Sequence, residues 1–121
     1  MFKLGIIEES LNDKQVLEML KSDLFSQRAQ IVQEDSCPVW HVNEYHIDDG
    51  KIHDILDVLA DNIKQTWYIH AFSEKVLCVV LCGKWFELSL YRDETWEEMI
   101  HYGSTVAKVE RQYIENIPLY I

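Results

Sequence analysis

The side chains with chemistry beyond packing are five histidines, His41, His46, His53, His70 and His101, set among 21 acidic residues. Neutral imidazole binds zinc and titrates near working pH, so metal binding and acid–base catalysis are the activities to test first. Spacing weakens most combinations. His41 and His46 are an odd number apart, and a regular strand sends them to opposite faces, where they cannot share an ion. His53 with Asp57, and Glu97 with His101, stand one helical turn apart, but two surface ligands do not complete a site, and a solvated helix flank is the simpler account. No metal and no cofactor are expected.

A better set is Glu44 and His46, two apart on one strand, with Tyr68 and His70, two apart on another. If those strands are neighbours, two imidazoles, a carboxylate and a phenol meet between Trp40 and Trp67 as a polar-aromatic pocket. The plainer account is that these are half-buried residues whose polar tips reach backbone or water. Cys37 with His41 suggests an activated thiol, but extended chain holds them apart and no helix start lies beside Cys37 to lower its pKa. There is no phosphate-binding glycine loop, Gly-x-Ser-x-Gly elbow, His-Glu-x-x-His or Cys-x-x-Cys, and the four glycines leave little room for a nucleotide cradle. No residue is assigned a catalytic role.

These candidates need a scaffold. At 121 residues the chain fits one domain, 1–121, large enough for a core without metal or disulfide staples. Phe2 to Ile7 reads as a strand, and Asn12 and Asp13 open a helix to Lys21 whose stripe is Val16, Leu17 and Leu20. Arg28 to Gln33 is a weaker strand candidate. Val39 to Ile47 alternates imperfectly, as an edge strand or one facing a groove would. Ile52, Ile55, Leu56, Leu59 and Ile63 repeat at helical spacing. Three strands follow, Thr66–Phe72, Lys75–Cys82 and Lys84–Leu90, with Gly83-Lys84 read as a type II′ hairpin. The middle one is apolar on both faces, the pattern of a central strand covered on two sides. Asp93 or Thr95 caps a helix bearing Trp96, Met99, Ile100 and Gly103.

The order predicts an α+β domain with a ferredoxin-like βαββαβ core, a mostly antiparallel sheet extended by a hairpin strand pair and a helix. Ile117, Leu119, Tyr120 and Ile121 are too apolar to stay in solvent, so that tail is expected to dock on its own domain or on a second copy.

Charge narrows the partners. The formal net charge of −10 repels a phosphate backbone, and the 11 basic residues are scattered singly, so neither nucleic acid nor an anionic membrane is expected. Glu8 and Glu9 interrupt the opening apolar run before it could become a signal core, and no run approaches the ~20 residues of a membrane helix. Three cysteines make no disulfide framework. Cys78 and Cys82, four apart on a strand, lie ~13 Å from one another, too far to bridge. Cys37 is the thiol expected to meet solvent. A soluble, cytoplasmic protein is the expectation.

The spellings Pro38-Val39-Trp40-His41-Val42, Trp67-Tyr68-Ile69-His70, Phe86-Glu87-Leu88 and Trp96-Glu97-Glu98 leading to Tyr102-Gly103 resemble those of small uncharacterised bacterial proteins of about this length. The resemblance implies a bacterial source and transfers no activity, cofactor or functional residue. Three functions stay open. The first is a non-enzymatic interaction domain, self-associating as a homodimer through a sheet edge or through Ile117, Leu119, Tyr120 and Ile121. The second is a small-molecule-binding protein or small enzyme using Trp40, Glu44, His46, Trp67, Tyr68 and His70. The third is an acidic inhibitor or antitoxin-like protein that captures a basic partner.

Overall fold

The computed structural model describes Met1–Ile121. Six strands form one antiparallel sheet: β1 (Phe2–Ile7), β2 (Leu24–Ile31), β3 (Val39–Ile47), β4 (Ile69–Phe72), β5 (Leu77–Leu81) and β6 (Lys84–Leu88). Their spatial order is β2-β3-β1-β4-β5-β6. This six-stranded order differs from that of a four-stranded ferredoxin-like sheet, while the α+β class holds.

Period-two alternation assigns each residue a face. Phe2, Leu4 and Ile6 of β1 lie opposite Ile47, Tyr45 and Asn43 of β3, and this first face meets α1 (Ile52–Ala60). Ile52, Ile55, Leu56 and Leu59 are the stripe that α1 buries there. The second face is covered over β4–β6 by α2 (Glu97–Thr105), α3 (Arg111–Ile114) and the chain beyond it, through Trp96, Met99, Ile100, Ile114 and Ile117. The sheet thus separates two apolar cores. No helix is long and apolar enough to cross a membrane.

Several expectations need correction. The helix expected from Asp13 to Lys21 is a 3-10 helix, Lys14–Asp23, with Asp13 Oδ1 accepting from the Gln15 amide at 2.9 Å. The expected stripe still faces the first core in this tighter helix, with Leu20 buried and Val16 and Leu17 packed against it. The weak strand begins earlier, at Leu24, and ends at Ile31 rather than Gln33. In the second hairpin Leu81 pairs with Lys84, so the loop is Cys82-Gly83. Gly83 takes φ 92° at the second central position, as in a type II turn and unlike the expected type II′. Asp93, rather than Thr95, caps the helical segment that begins at Glu94. Gly103 sits inside α2, where a Cβ would lie 2.5 Å from Ile114 Cδ1 and 3.3 Å from Leu81 Cδ1, so glycine admits close packing of α3 and β5.

Candidate functional site

Strand register decides which expected site residues meet. Glu44 and His46 of β3 project from the second face, as do His70 and Phe72 of β4. The two strands are not neighbours. β1 runs between them, and one cross-strand row reads Glu44, Gly5, His70. Gly5 brings no side chain to that row, and the gap is filled from above by Ile121, whose Cδ1 would stand 2.7 Å from a Cβ on Gly5. A glycine inside a strand marks such a close approach. The four polar residues therefore share a face, with β1 and Ile121 between the two pairs.

On the β3 side, Glu44 Oε2 and His46 Nε2 are 2.7 Å apart, and Phe25 stacks on the imidazole with ring centroids 4.0 Å apart. Phe25 reaches this place because a bulge between Leu24 and Ser26 shifts the β2–β3 register. On the β4 side, Tyr68 lies 6.2 Å from His70, which stacks on Phe72 at 5.9 Å. His70 Nε2 donates to the Tyr120 carbonyl at 3.1 Å. Burial lowers the His70 pKa, although the carbonyls of Tyr120 and Pro118 pull it back upward. Burial raises the Tyr68 pKa, with Tyr120 adding to the effect.

β1 ends at Ile7, opposite Val42, so Trp40 and Trp67 meet past its end in an edge-to-face pair with centroids 5.2 Å apart. The Trp40 indole N–H is buried without a partner. Of the residues expected at an interface, Ile117 is buried in the second core, Leu119 packs against it and Ile121 is half-buried, leaving Tyr120 at 72% exposure. The tail docks on its own domain.

The other pairings resolve locally. His41 Nδ1 lies 2.6 Å from Glu9 Oε2, while Glu9 Oε1 accepts from the His41 amide. Burial alone would raise the Glu9 pKa, but the hydrogen bonds from His41 reverse this and leave it lowered. That pairing takes His41 from Cys37, whose thiol faces the Val39 carbonyl at 3.6 Å, so no thiol–imidazole dyad is built. Asp57 accepts from the Trp85 indole at 2.7 Å and His53 stacks on the same ring, which makes that helical pair a packing device. No group of three or more His, Cys, Asp or Glu side chains is arranged to hold a metal ion. Glu44–His46 is an acid–base pair on the second face, with Ser26 of β2 at the register position opposite Glu44.

Sequence reasoning missed Phe25, Ile121 as the cover of Gly5, and the breadth of the exposed strand. β2 is exposed at all eight positions, with Phe25 at 64% and Ile31 at 71% exposure. Set against protein-family models, curated proteins and solved structures, the chain matches none, so its functional reading rests on this geometry.

Proposed function

We propose that this chain is a non-enzymatic interaction domain that self-associates by pairing the free edge of β2 with the same edge of a second copy. The observation that carries this reading is an eight-residue strand, exposed throughout, with β3 on one side and no strand on the other. An unpaired edge offers a row of backbone donors and acceptors to a partner strand. Docking of the tail on its own domain favours the edge over the tail as the contact. Arg28 is the one charged residue in Leu24–Ile31. A two-fold axis at Gln27 sets Arg28 of each copy opposite Ser26 of the other, so the arginines do not oppose one another.

Light scattering across a concentration series tests this. Mass should climb toward that of a dimer, and Phe25→Lys with Ile31→Lys should keep the fold while holding the protein monomeric. A monomer at every concentration in the parent chain defeats the reading.

At the finer level of topology, we read β1–β4 as a ferredoxin-like unit extended by β5 and β6. The order β2-β3-β1-β4, antiparallel throughout, with the Lys14–Asp23 helix and α1 sharing one core, supports that. Three free cysteines suit a reducing compartment, and we propose the cytoplasm.

A second reading, small-molecule binding at Trp40, Glu44, His46, Trp67, Tyr68 and His70, is favoured by the Glu44–His46 pair and by the unpartnered Trp40 N–H. Replacing His46 and His70 by Ala while following binding of a candidate ligand distinguishes it from the first.

A further inference from the structure

Residues 116–121 are held unlike any other part of the chain. None of their backbone groups takes part in a backbone–backbone hydrogen bond. The His70 imidazole donates to the Tyr120 carbonyl, with the Pro118 carbonyl beside it. The rest is side-chain insertion: Ile117 in the second core, Leu119 against it, and Ile121 on the bare backbone of β1 at Gly5. On its other flank the segment forms one wall of a groove of about 550 Å³, faced by Leu90, Tyr91, Arg92 and Trp96. A segment without ladder bonds opens at low free energy compared with the sheet beneath it. What it leaves on opening is a shaped surface: a seat at Gly5, an imidazole donor at His70, the Tyr68 ring and the apolar margin of the second core.

We infer that this surface is a binding site for an extended apolar peptide segment, filled in cis by the chain's own residues 116–121 and in trans by the same segment of a second copy. The occupant is defined by what is seated there. A branched aliphatic side chain fits where Gly5 has no Cβ, and a carbonyl one residue earlier meets His70. Any second copy carries both features at the same spacing. Six residues extend about 20 Å, enough for the segment to leave its own groove and reach a neighbour after a turn at Glu115. In the parent chain the cis segment is at high effective concentration, so exchange is suppressed until that segment is disabled or protein concentration is high. This contact uses none of β2 and stands independently of the edge pairing proposed above.

Two full-length variants, each missing one half of the contact, test it. Both carry Phe25→Lys and Ile31→Lys, so that β2 pairing does not enter. The acceptor adds Leu119→Asp and Ile121→Asp, which expel its own segment and leave the groove open. The donor adds Gly5→Val, which closes the groove and frees an intact segment. Each alone should be monomeric by light scattering, and the mixture should give a one-to-one complex. Isotope-labelled acceptor should show saturable shifts of the Gly5 and His70 amides, at least about tenfold larger than the same addition produces in labelled protein with an intact segment. Should Gly5→Val misfold, a peptide of residues 116–121 replaces the donor and the same two amides are read. Unmoved Gly5 and His70 amides at saturating donor or peptide, or equal shifts in acceptor and intact protein, overturn the inference.

Discussion

β5, one strand in from the β6 edge of the sheet, is buried at all five positions, and β2, the opposite edge strand, is exposed at all eight. β5 is hydrogen-bonded on both sides, to β4 and β6, whereas β2 pairs with β3 alone. Cover separates them further. β5 has α1 and its core on one face and α2, α3 and the tail on the other, whereas β2 extends past both layers. Apolar burial supplies most of the stability of such a domain, so one end of the sheet holds the fold together and the other is free to vary or to bind.

The sharpest test of that division is a matched pair of truncations. Leu81→Ala, at a fully buried position of β5, should cost about 2–5 kcal/mol in urea unfolding. Ile31→Ala, on β2, should stay within about 0.5 kcal/mol. Similar losses would show that β2 is covered in solution, and the division would fail.

A smaller effect is expected where the tail meets β4. The folded His70 pKa lies below the ordinary 6.5, so in the window between the two values the unfolded chain holds a proton that the folded chain lacks. This contribution to stability is complete above pH 6.5 and is lost as pH falls through the window, levelling below the folded pKa. Melting temperatures from about pH 8 to about pH 5 should therefore fall more steeply for the parent than for His70→Gln. Parallel curves would mean that His70 is not buried under the tail.

The smallest expected change is a gain. Thr66 holds φ at 76°, a left-handed conformation costing a β-branched residue about 1–3 kcal/mol, while its amide donates to the Ala107 carbonyl at 2.8 Å. Thr66→Gly relieves that strain, offset by about 0.5–1 kcal/mol of glycine entropy, for a net gain near 1 kcal/mol in the same urea assay. A loss of stability would place the Thr66 side chain among the contacts that support the covered half.

Burial also explains what could be read from sequence. β5 was legible because both of its alternations are apolar, and α1 because Ile52, Ile55, Leu56 and Leu59 face one core. β2 was half missed: a strand with no buried face has no apolar period to reveal it, and its start at Leu24 follows directly on a helix of unexpected type. At the site, parity correctly put Glu44 with His46 and Tyr68 with His70. The strand between them was hidden, because strand order is a tertiary fact that alternation does not encode. Gly5 was the available clue, a lone glycine in an apolar strand, and it points to a close approach without naming Ile121. The His41–Glu9 pair, 32 residues apart in sequence, left no local signal at all.

β5 belongs to both cores at once, with Cys78 and Val80 in the first and Leu77, Val79 and Leu81 in the second. Loss of β5 breaks both cores together, so the covered half, residues 116–121 apart, behaves as one cooperative unit. The Cys78 thiol lies inside it, pushed up to about 12 by burial with a contribution from Glu87, and therefore fully protonated at neutral pH. Cys37 and Cys82 are only half-buried. A thiol reagent accordingly finds two cysteines in the native protein and a third only when the whole unit has opened, which turns Cys78 into a built-in clock for global unfolding.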